Sequence, residues 1–401
     1  MKWSHINIML EIIIDIERKY NIKNSLIDEL LSNGVITQNT NYNNEEGVYV
    51  TYEKLDDYLY AKLLATELDD IGIDKFHTKY QKILGYGDIL EALAIVLSEN
   101  AKYELFEIFE EEKSNSGIIR GFCNSLKWIK PDTVSQNTID YINNVVLRSQ
   151  IGFERLFDVL LLISSKVGHS LNAERTVEYF LNFPMPDRDA TFIPLFDEFY
   201  FEEGSSINRL LDWCLSKKSN ENTLDGTVRL TAIMVASFLI SSNNTLRDKT
   251  TKALVKLLSG RIDILISVLE KYKNVDDPYI IERLYAVAFG CIVSEQKNDK
   301  IEALALYVYE MIFKDEYVYP NILLRDYAKG IIEYAKYKVS SSKLLSLDVC
   351  PPYKSEMPEV PTDEEIKKYK FDYKAPDFQD YYWSQNAIIS SMKVEYNRDG
   401  A

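Results

Sequence analysis

The chain has 401 residues, a formal net charge of −16 from 46 basic and 62 acidic side chains, 46% hydrophobic and 27% charged residues, and only 15 Gly and 11 Pro. These values exclude wholesale disorder and favour helices joined by short connections. A surface this acidic, with no long run of Lys or Arg, argues against a nucleic-acid backbone or an anionic membrane and for protein partners.

Residues 6–20 carry Ile6, Met9, Leu10, Ile13 and Ile16 at helical spacing. Asn24 or Ser25 can cap a second helix over 26–31, which the helix-ending pair Asn33-Gly34 stops. Two β-branched runs, at 35–37 and 48–52, flank an Asn-rich loop and read as a two-stranded wing. A helix over 52–68 follows, with Leu55, Tyr58, Leu59, Leu63 and Leu64 facing inward. That order is the order of a winged-helix module. Its second helix carries Asp28 and Glu29 and no Arg, so a structural or regulatory role is preferred over DNA binding.

From 71 to 340 the pattern is one apolar helix after another. The spacing predicts helices over 73–84, 89–98, 118–129, 153–165, 173–183, 206–217, 228–240, 249–259, 280–294, 301–314 and 323–338. Breakers such as Lys130-Pro131-Asp132 and Pro184-Met185-Pro186-Asp187 mark connections. Residues 231–240 hold no charge, so this helix is expected between neighbours on more than one side. Asp187 is a candidate cap for the next helix, with Arg188 pairing across to a neighbour and Asp189 beside it.

The back half repeats itself. Leu246-Arg247-Asp248 and Leu324-Arg325-Asp326 each open a helix with Ala at packing positions, and Arg283 sits between them. The arginine intervals are 36 (247 to 283) and 42 (283 to 325) residues. Both suit a two-helix unit of about 40 residues. Arg near the helix start followed by small Ala resembles HEAT and armadillo repeats, which implies an Arg–Asp ladder between units. The alternative is unrelated helices that begin alike. Beyond 340 the chain turns Pro-rich around Cys350-Pro351-Pro352. It offers a capped helix start at Pro361-Thr362-Asp363-Glu364-Glu365-Ile366, then mixes aromatics with charges over 370–383 in a tail expected to pack on the array. The last residues read as a cut. The expected organisation is therefore a winged-helix-like module at 1–70, an α-helical repeat array at 71–340 and a tail at 341–401. The fold class is all-α, a HEAT- or TPR-like solenoid preceded by a small module with a β-wing.

No constellation in the sequence supports catalysis or a cofactor. Phosphate-loop, dinucleotide, nucleophile-elbow and HExxH motifs are missing. The three histidines (His5, His77, His169) stand apart from cysteines and paired carboxylates. The four cysteines lie far apart, with Cys123, Cys214 and Cys291 in apolar helical patterns, so neither a disulfide framework nor a zinc site is expected. No apolar run approaches the ~20 residues that span a bilayer, and no signal peptide is visible, so a cytoplasmic location is expected.

Gly47-Val48-Tyr49-Val50-Thr51-Tyr52-Glu53-Lys54-Leu55-Asp56-Asp57-Tyr58-Leu59 resembles the winged-helix segment that follows the ATPase core in large bacterial STAND NTPases. Three further stretches resemble the helical C-terminal region of the antiviral members, the AVAST type. They are Pro186-Asp187-Arg188-Asp189, the segment from Leu246-Arg247-Asp248 through Asp277-Pro278-Tyr279-Ile280-Ile281-Glu282-Arg283-Leu284-Tyr285-Ala286-Val287, and Arg325-Asp326-Tyr327-Ala328-Lys329-Gly330-Ile331-Ile332-Glu333-Tyr334-Ala335. The resemblance implies a sensor whose array recognises a phage protein such as a terminase or portal subunit, with oligomerisation and effector activation belonging to the full-length ATPase. This chain departs from the full pattern by lacking a phosphate-binding loop and an effector. It is then a fragment or one part of a split system, with Arg188, Asp189, Arg247, Asp248, Arg283, Arg325 and Asp326 as structural or partner-contact candidates. Two rival readings are a free-standing helical scaffold or adaptor and a winged-helix transcription regulator.

Overall fold

The computed structural model describes residues 25–40, 46–100, 102–216, 223–315 and 317–355, with residues 16, 18–20, 359, 362, 364, 365, 374, 376 and 378. Of the helix expected over 6–20, only residues 16 and 18–20 are described, and these are helical. Of the tail expected to pack over 370–383, only residues 374, 376 and 378 are described.

The chain is all-α, an array of helices preceded by a small β-wing. Helix α1 (Leu26–Ser32) starts where the Ser25 hydroxyl accepts the Asp28 N–H at 3.3 Å. It ends where Gly34 takes a φ of 67°, a conformation glycine adopts without Cβ strain. Strands β1 (Ile36–Thr40) and β2 (Glu46–Val50) pair antiparallel, with Ile36 opposite Val50. Helix α2 (Glu53–Ile71) follows and is also the first helix of the array.

α2 buries Asp57, Ala61, Leu64, Ala65 and Leu68, whereas Leu59 and Leu63 are exposed. The expected inward face is thus wrong at those two leucines. α2 is apolar on two sides, and it lies tightly against the next long helix, α4 (Gly87–Asn100), through its alanine-bearing side. Small side chains permit that approach, so bulk did not decide the orientation. Between them lies α3 (Ile73–Tyr80) with its 3₁₀ extension to Gly85.

The remaining helices are α5 (Leu105–Ile108), α6 (Ser116–Ser125), α7 (Gln136–Asn144), α8 (Gln150–Ile163), α9 (Ala173–Leu181), α10 (Met185–Phe201) and α11 (Ser206–Leu215). They continue as α12 (Asp225–Ala236), α13 (Asn244–Leu258), α14 (Ile262–Tyr272), α15 (Pro278–Ser294), α16 (Asn298–Ile312), α17 (Ile322–Lys338) and α18 (Ser342–Leu345). One layer runs α2, α4, α6, α8, α11, α13, α15, α17, each helix packed on the next. Behind it α9, α12, α14, α16 and α18 form a second layer in the same way.

The repeat is legible in the separations of the bonds that join units. Lys54 reaches Asp88 34 residues on, Arg283 reaches Asp248 35 back, the Tyr272 hydroxyl donates to the Ile233 carbonyl 39 back, and Ser341 donates to Glu302 39 back. Such stacking is how each unit covers a hydrophobic face it could not bury alone. The charge-free stretch 231–240 is buried throughout, as its composition requires.

α10 interrupts the alternation. Its Phe192 and Phe196 pack on Phe157 of α8, Phe180 of α9 and Phe238 in the 3₁₀ turn after α12. Pro184 stands at its N-cap position and Asp187 lies in the first turn, so Asp187 does not cap this helix.

By internal contacts the chain divides into Met1–Lys314 with Asn321–Val349, and Asp315–Pro320 with Cys350–Ala401. Within the second unit the Val318 N–H donates to the Lys354 carbonyl (2.8 Å) and the Ser355 hydroxyl donates back to Val318 (2.8 Å). There the Thr362 N–H donates to the Glu365 carboxylate (2.9 Å) and the Glu365 N–H to the Thr362 hydroxyl (3.3 Å), a capping box at the expected place.

Candidate functional site

Besides α6, which starts on Asn115, three first-layer helices begin on an Asx side chain. Asn243 accepts the N–H groups of Thr245 (3.0 Å) and Leu246 (3.3 Å), Asp277 those of Tyr279 (2.9 Å) and Ile280 (3.4 Å), and Asn321 that of Leu324 (2.9 Å). These caps fix the starts of α13, α15 and α17 and hence the register of every later side chain. Counted from its cap, Arg247 matches Ile281 and Arg325, while Asp248 matches Glu282 and Asp326. Arg283 sits two positions deeper than Arg247, opposite Lys249 and Tyr327. The three arginines are therefore not equivalent.

A ladder exists, and its rungs come from the deeper position. Arg283 Nη1 lies 3.0 Å from Asp248 on α13, and Lys249 Nζ lies 2.8 Å from Asp212 on α11. In α17 the same place is Tyr327, whose ring packs 6.4 Å from that of Phe289 on α15. Arg247 instead holds its guanidinium 5.0 Å from the centre of the Tyr279 ring and donates to the Ser241 carbonyl at 3.3 Å. Glu282 accepts from the Asn321 amide at 3.3 Å. Arg325 is half-buried on α17, and Asp326 is exposed beside it. Lys249, Asp212 and Tyr279 belong to this edge and escaped the sequence reading. Counting six residues on from each Asx cap would have found Lys249.

Arg188 is the most buried ionised group of the described chain, with no exposed side-chain surface. Its Nη1 donates to the Phe183 carbonyl (3.0 Å), its Nη2 to Asp276 (2.6 Å), and Asp277 lies 3.7 Å away. The guanidinium sits 5.4 Å from the Phe180 ring centre, and Asp276 also accepts the Met185 N–H at 2.9 Å. One carboxylate thus ties the start of α10 to the turn between α14 and α15. The hydrogen bond from Arg188 holds the Asp276 carboxyl below its ordinary range, whereas burial pushes Asp277 and Asp189 up. An open cleft of about 470 Å³ adjoins them, lined by Asn182, Phe183, Lys271, Asn274 and Asp276. Its lysine is already committed to Glu174 at 3.1 Å.

The two described histidines, His77 and His169, stay apart. His77 meets Glu112 at 2.8 Å, and the buried His169 accepts the Leu171 N–H at 3.0 Å through Nδ1. Cys123, Cys214 and Cys291 are buried thiols, their pKa pushed up to about 12 by burial, and Cys350 is exposed. Among the described residues no group of His, Cys, Asp and Glu could hold a metal ion, and no helix is long and apolar enough to cross a membrane. On α1, the helix that would enter a DNA groove, Asp28 and Glu29 are both exposed. No family model, curated protein or solved structure matches the chain.

Proposed function

We propose that the chain is a recognition array, the ligand-sensing part of an antiviral STAND-type ATPase that docks a phage protein such as a terminase or portal subunit. The observation that carries the docking role is the run of side-by-side first-layer helices. It presents aligned helix starts and a long solvent face on a scaffold tied unit to unit by bonds such as Arg283–Asp248 and Lys249–Asp212. The side chains there are engaged in packing, capping and ion pairs, an arrangement suited to holding a surface in shape. Exposed Tyr279 and Tyr337 on this layer are of the residue type enriched at protein interfaces. The phage partner and the ATPase context rest on the resemblance of the quoted segments.

The test is co-expression of the chain with single cloned terminase and portal subunits, followed by size-exclusion chromatography. A stoichiometric complex with one of them is expected. Separate elution of all of them, from several phages, defeats the phage-recognition reading.

A further inference from the structure

α13, α15 and α17 lie side by side. Arg283 bonds Asp248, a Cβ on Gly290 would stand 2.8 Å from Val255, and one on Gly330 would stand 3.0 Å from Phe289. The inward stripe of α15 is apolar, as expected of a core helix, but so is much of its outward one. Tyr279, Phe289 and Val293 are 53%, 36% and 47% exposed and share a face with Ala286, where Glu282 is the charged member. α17 extends this strip with Leu323, 48% exposed, and with Tyr334, whose hydroxyl donates to the Val293 carbonyl at 3.1 Å. A soluble helix that is apolar outward as well as inward has surface to give a partner.

The charge beside the strip is opposite to that of the protein. α13 holds Arg247, Lys249, Lys252 and Lys256 against the single acid Asp248, while the second-layer helix α16 holds Asp299, Glu302 and Glu310 against Lys300. Lys252 and Lys256 are one helical turn apart on the exposed face of α13, between the edges that meet α11 and α15. On a chain of net charge −16, the first layer around α13 is thus locally basic.

We infer that the outward face of α13, α15 and α17 docks an acidic amphipathic helix of a partner protein. Its apolar side lies on Phe289, Val293 and Leu323, and its carboxylates face Lys252 and Lys256. Nucleic acid fits less well, because the apolar strip offers nothing to phosphates. The inference rests on the reading of the chain as a docking array and adds the face and the chemistry of the occupant.

The experiment uses the full chain and a labelled synthetic helix of about 20 residues with Glu on one side and Leu and Phe on the other. Its Glu→Gln counterpart and a DNA duplex of similar length serve as comparators, and binding is read by fluorescence anisotropy. The acidic peptide is expected to bind best and to weaken about five-fold between roughly 50 and 300 mM salt. The pair K252E/K256E is expected to weaken it roughly ten-fold, and Phe289→Ser about as much, with unchanged circular dichroism. K300E on the second layer is expected to leave it unchanged. Equal binding of the Gln peptide, tighter binding of the duplex, or indifference to K252E/K256E overturns the inference. A phage-protein complex that survives K252E/K256E refutes this face and leaves the sensor reading intact. Absence of any such complex removes that reading while the peptide titration still judges the face.

Discussion

At the residue scale the decisive quantity is what a buried polar group finds as a partner. Arg188 has none of its side-chain surface exposed, so losing Asp276 strands a buried cation that Asp277, at 3.7 Å, compensates poorly. Asp276→Ala is expected to lower the stability of the units it joins by about 2–3 kcal/mol, measured by urea unfolding of those units. The same site shapes the acid limb of the stability profile. Asp276 has a depressed folded pKa, so its contribution is present above the unfolded carboxylate value and is lost as pH falls through the folded one. Asp189 and Asp277 are shifted upward and act with the opposite sign. The variant should therefore show a shallower loss of stability in the window just below the ordinary carboxylate range; an unaltered slope there refutes the assignment. That Arg188 reaches across to a neighbour was legible in Pro186-Asp187-Arg188-Asp189. Its partner was not, because Asp276 lies 88 residues away and nothing local marks it.

At the element scale, helices were legible where apolar periodicity was strong, and their starts where an Asx or Ser precedes the first turn. At α10 the sequence places the start too late, because Pro184-Met185-Pro186-Asp187 reads as a connection with Asp187 as the cap of the next helix, whereas the helix begins at Met185. Proline is tolerated in a first turn, and Pro194 removes the bond to the carbonyl of residue 190 at an exposed position. α14 was overlooked although Ile262, Leu265, Val268 and Leu269 carry its period, and α5 and α7 are short. Glycine sets how closely first-layer helices approach. A Cβ on Gly121 would stand 2.7 Å from Leu90 Cβ and 3.0 Å from the Glu91 backbone nitrogen, whereas on Gly290 it would meet the Val255 side chain at 2.8 Å. Gly121→Ala, pressed against backbone, is expected to cost about 2–3 kcal/mol and Gly290→Ala about 1–2 kcal/mol. Val255→Ala should relieve only the second, with a coupling of at least about 0.5 kcal/mol in a double-mutant cycle. Additivity at 290 and 255 would show that the two helices do not meet there.

At the scale of the whole molecule, an array in which each unit touches chiefly its neighbours unfolds in stages more readily than a single core does. The thiols report this. Cys123, Cys214 and Cys291 sit in three different helices, buried and with raised pKa, while Cys350 is exposed. In the native state one thiol is expected to react rapidly with a disulfide reagent and three to stay protected. As urea rises, Cys123, Cys214 and Cys291 should become reactive at separate midpoints, followed by mass spectrometry of labelled peptides. Coincident midpoints would mean that the array melts as one cooperative body.

Composition and periodicity by themselves determined the helical class, the small wing, the run of stacked units and the caps at Ser25 and Thr362, because each depends on neighbours within a few residues along the chain. The inward face of α2, the non-equivalence of Arg247, Arg283 and Arg325, the partner of Arg188 and the apolar outer strip of α15 were decided only in the tertiary structure. Those features depend on which helix lies alongside, and a helix apolar on two sides does not declare which side its neighbour will cover.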